Sequence, residues 1–173
     1  MEKFNIKQTW AYSVVSEFYK DKKAERSGLP YMNHINEGLV ILDAIGASVD
    51  ACKAFCLHPL VQNPPDLKAN YSMLAGSVCS RPQLILAMEY RNIANSFLSP
   101  MDNHPGFKDY KKIKLSPLKD VNDMLVADKV QNYKDFLLYN RKHPRADRLD
   151  IYFKAWLNAL DISDFDALAD KIR

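Results

Sequence analysis

Residues 26–63 read RSGLPYMNHINEGLVILDAIGASVDACKAFCLHPLVQN. Apolar positions recur in this stretch with the period of a helix. Tyr31, His34, Ile35, Gly38, Leu39, Leu42 and Ile45 fall on one helical face, the i, i+3, i+4, i+7 pattern of an amphipathic helix. Ser27-Gly28-Leu29-Pro30 before it is a turn signal, and Gly46 is a stop. Ser48 is an N-cap for a further helix through Cys52, Phe55 and Cys56. That helix is expected to end near His58, because Pro59 lacks an N–H and disfavours α backbone in the residue before it. The stretch thus predicts two helices that each carry a histidine, with His34 sharing its face with Tyr31.

Helical periodicity continues on both sides. Residues 7–21 place Trp10, Val14, Val15 and Phe18 on a stripe. After it, Lys20–Arg26 is charged. Asn63-Pro64-Pro65-Asp66 reads as a loop and Leu67–Leu74 as a short helix. Ser80-Arg81-Pro82 opens another helix, with Leu84, Ile85, Met88 and Phe97 along it. Residues 99–118 hold Pro100, Pro105, Gly106, Pro117 and a cluster of Lys108, Lys111, Lys112 and Lys114, which predicts a long surface loop. Residues 119–141 form a strong helix through Val121, Met124, Leu125, Val130, Tyr133, Phe136 and Leu137. Asp128 and Asn132 are i, i+4 on it and share a face. A last major helix spans about 145–160, with Ile151, Tyr152, Ala155, Trp156 and Leu160, and a tail helix over 163–172 docks on the bundle. No alternating strand pattern occurs. The fold class is all-α.

A chain of 173 residues makes one domain, 1–173. A net charge of +3 permits a phosphorylated partner without marking a nucleic-acid binder. Three cysteines form no even disulfide framework, and no signal peptide is evident, which points to the cytoplasm. No apolar run approaches the ~20 residues of a membrane span. No Gly-rich phosphate loop occurs. Homo-oligomerisation is left open by the sequence.

Several residue types point to chemistry. His34 and His58 on adjacent helices, with Asp128 on a distant one, make a candidate metal set for Mn, Fe or Zn. Either histidine alone reads as well as an ordinary hydrogen-bonded residue. An aspartate in a leucine-rich helix requires a partner, and Lys129, an arginine of the last helix or an ion would serve. Cys52 and Cys56 beside His58 read as small buried residues, since structural zinc takes tighter cysteine pairs. Arg26, Lys129, Arg141, Arg145 and Arg148 either converge on phosphate or stay on solvated faces. Tyr31 and Tyr152 either meet a nucleotide or pack.

Three ordered segments carry a family resemblance. Arg26-Ser27-Gly28-Leu29-Pro30-Tyr31-Met32-Asn33-His34 resembles the R-x-S-G-x-P-Y-x-x-H opening of RelA/SpoT hydrolase domains. Leu57-His58-Pro59-Leu60-Val61-Gln62-Asn63 is similar to their L-H-D-x-V-E-D. Val126-Ala127-Asp128-Lys129-Val130-Gln131-Asn132-Tyr133-Lys134-Asp135 is similar to their L-A-D-K-L-x-N-x-R-D. Arg148 and Tyr152-Phe153 resemble the end of the small, metazoan-type SpoT homologs, whereas 66–118 matches poorly. The resemblance implies an HD-superfamily helical bundle of about 7–9 helices.

In that family a Mn ion sits on two His and two Asp, and a Glu-Asp pair supports attack of water on (p)ppGpp; some members act on NADPH. Carried over, the metal residues are His34, His58, position 59 and Asp128. The nucleotide residues are Arg26, Ser27, Tyr31, His34, His58, Gln62, Asn63, Lys129, Asn132, Arg148 and Tyr152. This chain departs from the pattern at Pro59, which has no ligand atom and is expected to disturb His58, and at Gln62 and Asn63. An amide accepts no proton at neutral pH, so a general base at those positions is gone. The expectation is a catalytically degenerate domain that holds a phosphorylated nucleotide (alarmone, cyclic or NAD-derived) without cutting it and without a cofactor. The alternatives are an active Mn-dependent phosphohydrolase, with Glu37 or Asp66 replacing a lost carboxylate, and a protein or nucleic-acid interaction module.

Overall fold

The structure is a computed structural model that describes residues 5–24, 27–76, 81–97 and 113–173. Its described residues form an all-helical bundle: α1 (Trp10–Phe18), α2 (Met32–Ala44), α3 (Val49–Val61), α4 (Pro64–Gly76), α5 (Arg81–Ser96), α6 (Lys119–Tyr139), α7 (Ala146–Ala159) and α8 (Phe165–Ala169). Short 3-10 turns at Ile6–Gln8 and Asp170–Ile172 flank them. Among the described residues the only β pairing is an isolated bridge between Lys23 and Pro30. No helix of the described residues is long and apolar enough to cross a membrane.

Helix α3 is the centre. It packs against α1, α2, α4, α5 and α6, and Ala54 to Val61 are buried without interruption. A helix apolar on all sides belongs inside a bundle. Ser48 Oγ caps its start by accepting from the Ala51 amide at 3.0 Å. Before it, α2 ends in a Schellman turn. Gly46 has φ +68°, its N–H reaches the Asp43 carbonyl at 3.2 Å, and the Ala47 N–H reaches the Leu42 carbonyl at 2.9 Å, which satisfies the carbonyls left over at the helix end. Helices α2 and α3 cross closely at Gly38, where a Cβ would lie 2.3 Å from the buried Phe55 ring. Only glycine permits that approach.

Four local expectations are corrected. First, α3 does not end near His58 but continues to Val61 with Pro59 in its interior. Proline removes one i→i−4 bond, and burial of Leu57, Leu60 and Val61 on either side outweighs that loss. Second, 63–66 is not a loop. Asn63 Oδ1 accepts the Asp66 amide at 2.9 Å and α4 begins at Pro64, because the first helical positions need no N–H. Third, of the expected α5 stripe Ile85 faces outward, 59% exposed, whereas Leu84, Met88 and Phe97 pack against the core beside the buried Gln83, Leu86, Ala87, Tyr90 and Ala94. Fourth, the first helix is shorter than 7–21, starting at Trp10 under a Thr9 cap. Of the expected loop 99–118, residues 99–112 lie outside the described residues, as do Ser80, Lys108, Lys111 and Lys112. Residues 113–118 form no helix or strand, and Lys114 is exposed.

Candidate functional site

Helices α2, α3, α5, α6 and α7, with residues 19–24 and 27–31, enclose a cavity of about 430 Å3. Of the residues expected to meet a nucleotide, Ser27, Tyr31, His34, His58, Gln62, Lys129, Asn132 and Tyr152 line it. Asn63 does not, since it is the exposed cap of α4. Arg148 does not either; it stands exposed on α7. Arg26 lies outside the described residues. Of the two alternatives for the other arginines, solvated faces is the one observed: Arg141, Arg145 and Arg148 are all exposed, and Lys129 is the only Lys or Arg lining the cavity among the described residues. A guanidinium keeps its hydration unless buried partners compensate for losing it.

The floor is built from His34, His58 and Asp128, whose ligand-type atoms lie within 4.8 Å of one another. Each imidazole is held by its Nδ1. His34 Nδ1 is 2.7 Å from Gln131 Oε1. The Gln131 amide cannot be reversed, because its Nε2 donates to two carboxylates, Glu37 Oε2 at 2.9 Å and Asp135 Oδ2 at 2.7 Å. The oxygen therefore faces His34, and His34 Nδ1 carries the proton. Lys134 neutralises the far side of this relay, 2.6 Å from Glu37 and 2.8 Å from Asp135. Glu37 is thus a strut of the relay, and Asp66 belongs to the first turn of α4. Neither lines the cavity as a replacement carboxylate.

Pro59 orients the other ring. A non-proline residue there would give its N–H to the Phe55 carbonyl four residues back. That carbonyl instead accepts from His58 Nδ1 at 2.6 Å. The expected disturbance of His58 is therefore not a misplacement: Pro59, having no N–H, leaves free the acceptor that fixes this ring. With both Nδ1 atoms protonated, both Nε2 lone pairs face inward, 3.4 Å apart, and Asp128 Oδ1 is 3.6 Å from His34 Nε2. A backbone or side-chain carbonyl behind each ring is the usual support of a metal-binding histidine. Ligands about 2.1 Å from a tetrahedral ion stand roughly 3.4 Å apart, a spacing that the two edges meeting at His34 Nε2 match. Pro59, beside His58, has no ligand atom to add.

Charge on the floor is balanced by Lys129. Its Nζ lies 2.8 Å from Asp128 Oδ2, 3.3 Å from the Tyr152 hydroxyl and 4.9 Å from the Trp156 ring centroid. Of the partners the sequence left open for Asp128, Lys129 is the one in contact. Asn132, one turn on, donates to Asp128 Oδ1 at 2.8 Å. Burial raises the Asp128 carboxyl, but Lys129 and then the two histidines reverse this and hold it at about 2. Burial lowers the Lys129 ammonium, and Asp128 more than restores it, to above its ordinary value. Burial and then His34 push His58 down to about 3, so this ring is neutral. Tyr90, fully buried under His58 at 4.8 Å between centroids, is raised by burial and by Asp128.

Gln62 meets the cavity one turn after His58. At the rim, Tyr19 and Tyr31 stack with centroids 5.2 Å apart. Tyr19, Tyr90, Gln131 and Asp135 were not singled out from the sequence. A signal for Gln131 exists: it stands three residues after Asp128 and four before Asp135, on one face of α6. Cys52 and Cys56 are free thiols away from the cavity, both raised by burial, to about 11 and about 12.

Scans against protein-family models, curated proteins and solved structures each returned no match for this chain.

Proposed function

We propose that the cavity holds a phosphorylated nucleotide, of the alarmone, cyclic or NAD-derived kind, without hydrolysing it, and that His34, His58 and Asp128 would hold a divalent cation whose charge would favour the phosphate. The observation that carries this reading is the floor itself. Two imidazole lone pairs and a carboxylate oxygen converge there, inside a cavity of about 430 Å3, a size suited to a small ligand. Bare phosphate is repelled by such a floor. A cation there would supply the charge that lets phosphate oxygens approach. Imidazole and carboxylate donors suit Mn, Fe or Zn.

Loss of turnover is supported by the fate of each carboxylate. Position 59 is proline, and position 62 is an amide bonded to Asn95. Among the described residues, only Asp128 and Asp135 line the cavity as carboxylates. Asp128, held at about 2, is a poor base at neutral pH, and Asp135 is engaged by Gln131 and Lys134. The resemblance to RelA/SpoT hydrolase domains supports the ligand class.

A second reading, an active metal-dependent phosphohydrolase, is favoured by one observation: three protein ligands leave coordination positions open for water. The deciding experiment incubates the protein with Mn2+ and a panel of (p)ppGpp, cyclic nucleotides and NADPH, recording melting temperature and phosphate release together. A ligand at ~100 times its Kd adds about 2.7 kcal/mol, roughly 5–10 °C for a chain of this size. A shift with intact ligand is the expected result. Phosphate release makes the protein a hydrolase, and no shift with any nucleotide defeats both readings.

A further inference from the structure

Gln62 holds an atom that the fold leaves unanswered. Its Oε1 is buried and has no hydrogen-bond partner among the described residues, although buried acceptors are nearly always satisfied. The orientation of this amide is locked. Asn95 Nδ2 donates to the Gln62 main-chain oxygen at 2.9 Å, and a main-chain carbonyl has no reversed form. Asn95 Oδ1 therefore faces Gln62 Nε2, at 2.6 Å. Reversing Gln62 would set two acceptors against each other. The lock spends the nitrogen and leaves Oε1 for something that is not protein.

The residue also stands in a suitable place. His58 and Gln62 are i, i+4 on consecutive turns of α3, so they share a face, and both line the cavity. Pro59, the next residue after His58, points off that face. A donor lost at position 59 is thus replaceable from position 62.

We propose that Gln62 Oε1 is a further protein donor to the cation held by His34, His58 and Asp128, an inference that rests on the cation reading above. Its carbonyl oxygen is a neutral, hard donor. Two imidazole nitrogens with two oxygens suit a borderline-to-hard dication such as Mn2+ or Fe2+. The electrostatic consequence favours capture of a polyanion. A second carboxylate would subtract a charge from the ion, whereas an amide subtracts none. Asp128 is already offset by Lys129, so the occupied seat keeps the full formal charge of the dication toward phosphate.

The test is Mn2+ titration by calorimetry of EDTA-stripped full-length protein, comparing wild type, Gln62→Met, Gln62→Glu and His34→Ala. Co2+ absorption spectra report coordination number in parallel. Gln62→Met, close in shape and without the donor, is expected to weaken Mn2+ by about tenfold or more and to change the Co2+ spectrum. Gln62→Glu places an anionic oxygen at the same point and is expected to tighten Mn2+, a gain that misfolding cannot produce. If Gln62→Met fails to fold, the Gln62→Glu gain decides. Wild-type affinity in both variants overturns the role of Gln62 while leaving the seat intact. A loss in Gln62→Met without a gain in Gln62→Glu reduces it to packing and also overturns the donor. No Mn2+ binding by wild type withdraws the seat, and this donor with it.

Discussion

Replacing Lys129 with methionine separates the charge of the floor from its packing. Lys129 and Asp128 are 6% and 5% exposed, with Nζ 2.8 Å from Oδ2. Methionine retains the apolar stem beside Trp156 and removes the ammonium, leaving Asp128 with the Asn132 hydrogen bond. Removing one partner of a buried ion pair costs about 3–5 kcal/mol. At roughly 2–4 °C per kcal/mol for this chain length, the melting temperature should fall by about 6–20 °C. The sign with pH follows from Asp128. In the wild type its carboxyl is lowered from 3.8 to about 2, so its stabilisation is present above 3.8 and is lost as pH falls toward 2. In Lys129→Met the largest opposing influence on burial is gone and only the weaker pull of the two histidines remains, so the carboxyl rises, and protonating it toward pH 4 reduces the cost of its lost partner. The gap between variant and wild type should therefore be wide at pH 8 and narrow at pH 4. The assay is urea unfolding followed by circular dichroism in EDTA, at both pH values, for wild type, Lys129→Met, Asp128→Asn and the double variant. A loss below about 1 kcal/mol at pH 8 refutes the argument, since exposed pairs already reach that value. So does a loss undiminished in the Asp128→Asn background.

Three further outcomes follow from the same geometry. Pro59→Ala restores the N–H that competes for the Phe55 carbonyl; α3 should gain roughly 1–3 kcal/mol while Mn2+ affinity falls and His58 ring 15N shifts report mixed tautomers, and stability and affinity rising together would count against it. Gly38→Ala puts a Cβ 2.3 Å from Phe55, so the helices must part at a cost of about 1–3 kcal/mol; an unchanged urea midpoint would sink this account. His58 is lowered from 6.5 to about 3, so its contribution is complete above 6.5 and disappears as pH falls from 6.5 toward 3. Metal-free protein should therefore lose stability across that range more steeply than His58→Asn, and equal slopes would show that His58 is not held neutral.

Much of the bundle was legible because its determinants are local. The Ser48 cap, the Gly46 stop and the shared face of Asp128 and Asn132 each involve residues within one or two turns, and each stands as read. The Pro59 reading failed for a different reason. Proline's preference for ending a helix is a local term of a few kcal/mol, and burial on both flanks of α3 exceeds it. That Arg148 is exposed and does not line the cavity was not legible, because its position on α7 says nothing about which way that helix turns.

The sequence by itself determined where helices start and stop, which faces are apolar, and which side chains are available to the cavity. Only the tertiary structure decided what each polar atom does there. His34 and Gln131 are 97 residues apart, and their contact sets which ring nitrogen keeps its lone pair. Asn95, 33 residues from Gln62, sets which amide atom is left over. Helix propensity acts over a turn or two, whereas a lone pair is free or spent according to whatever distant segment packs against it.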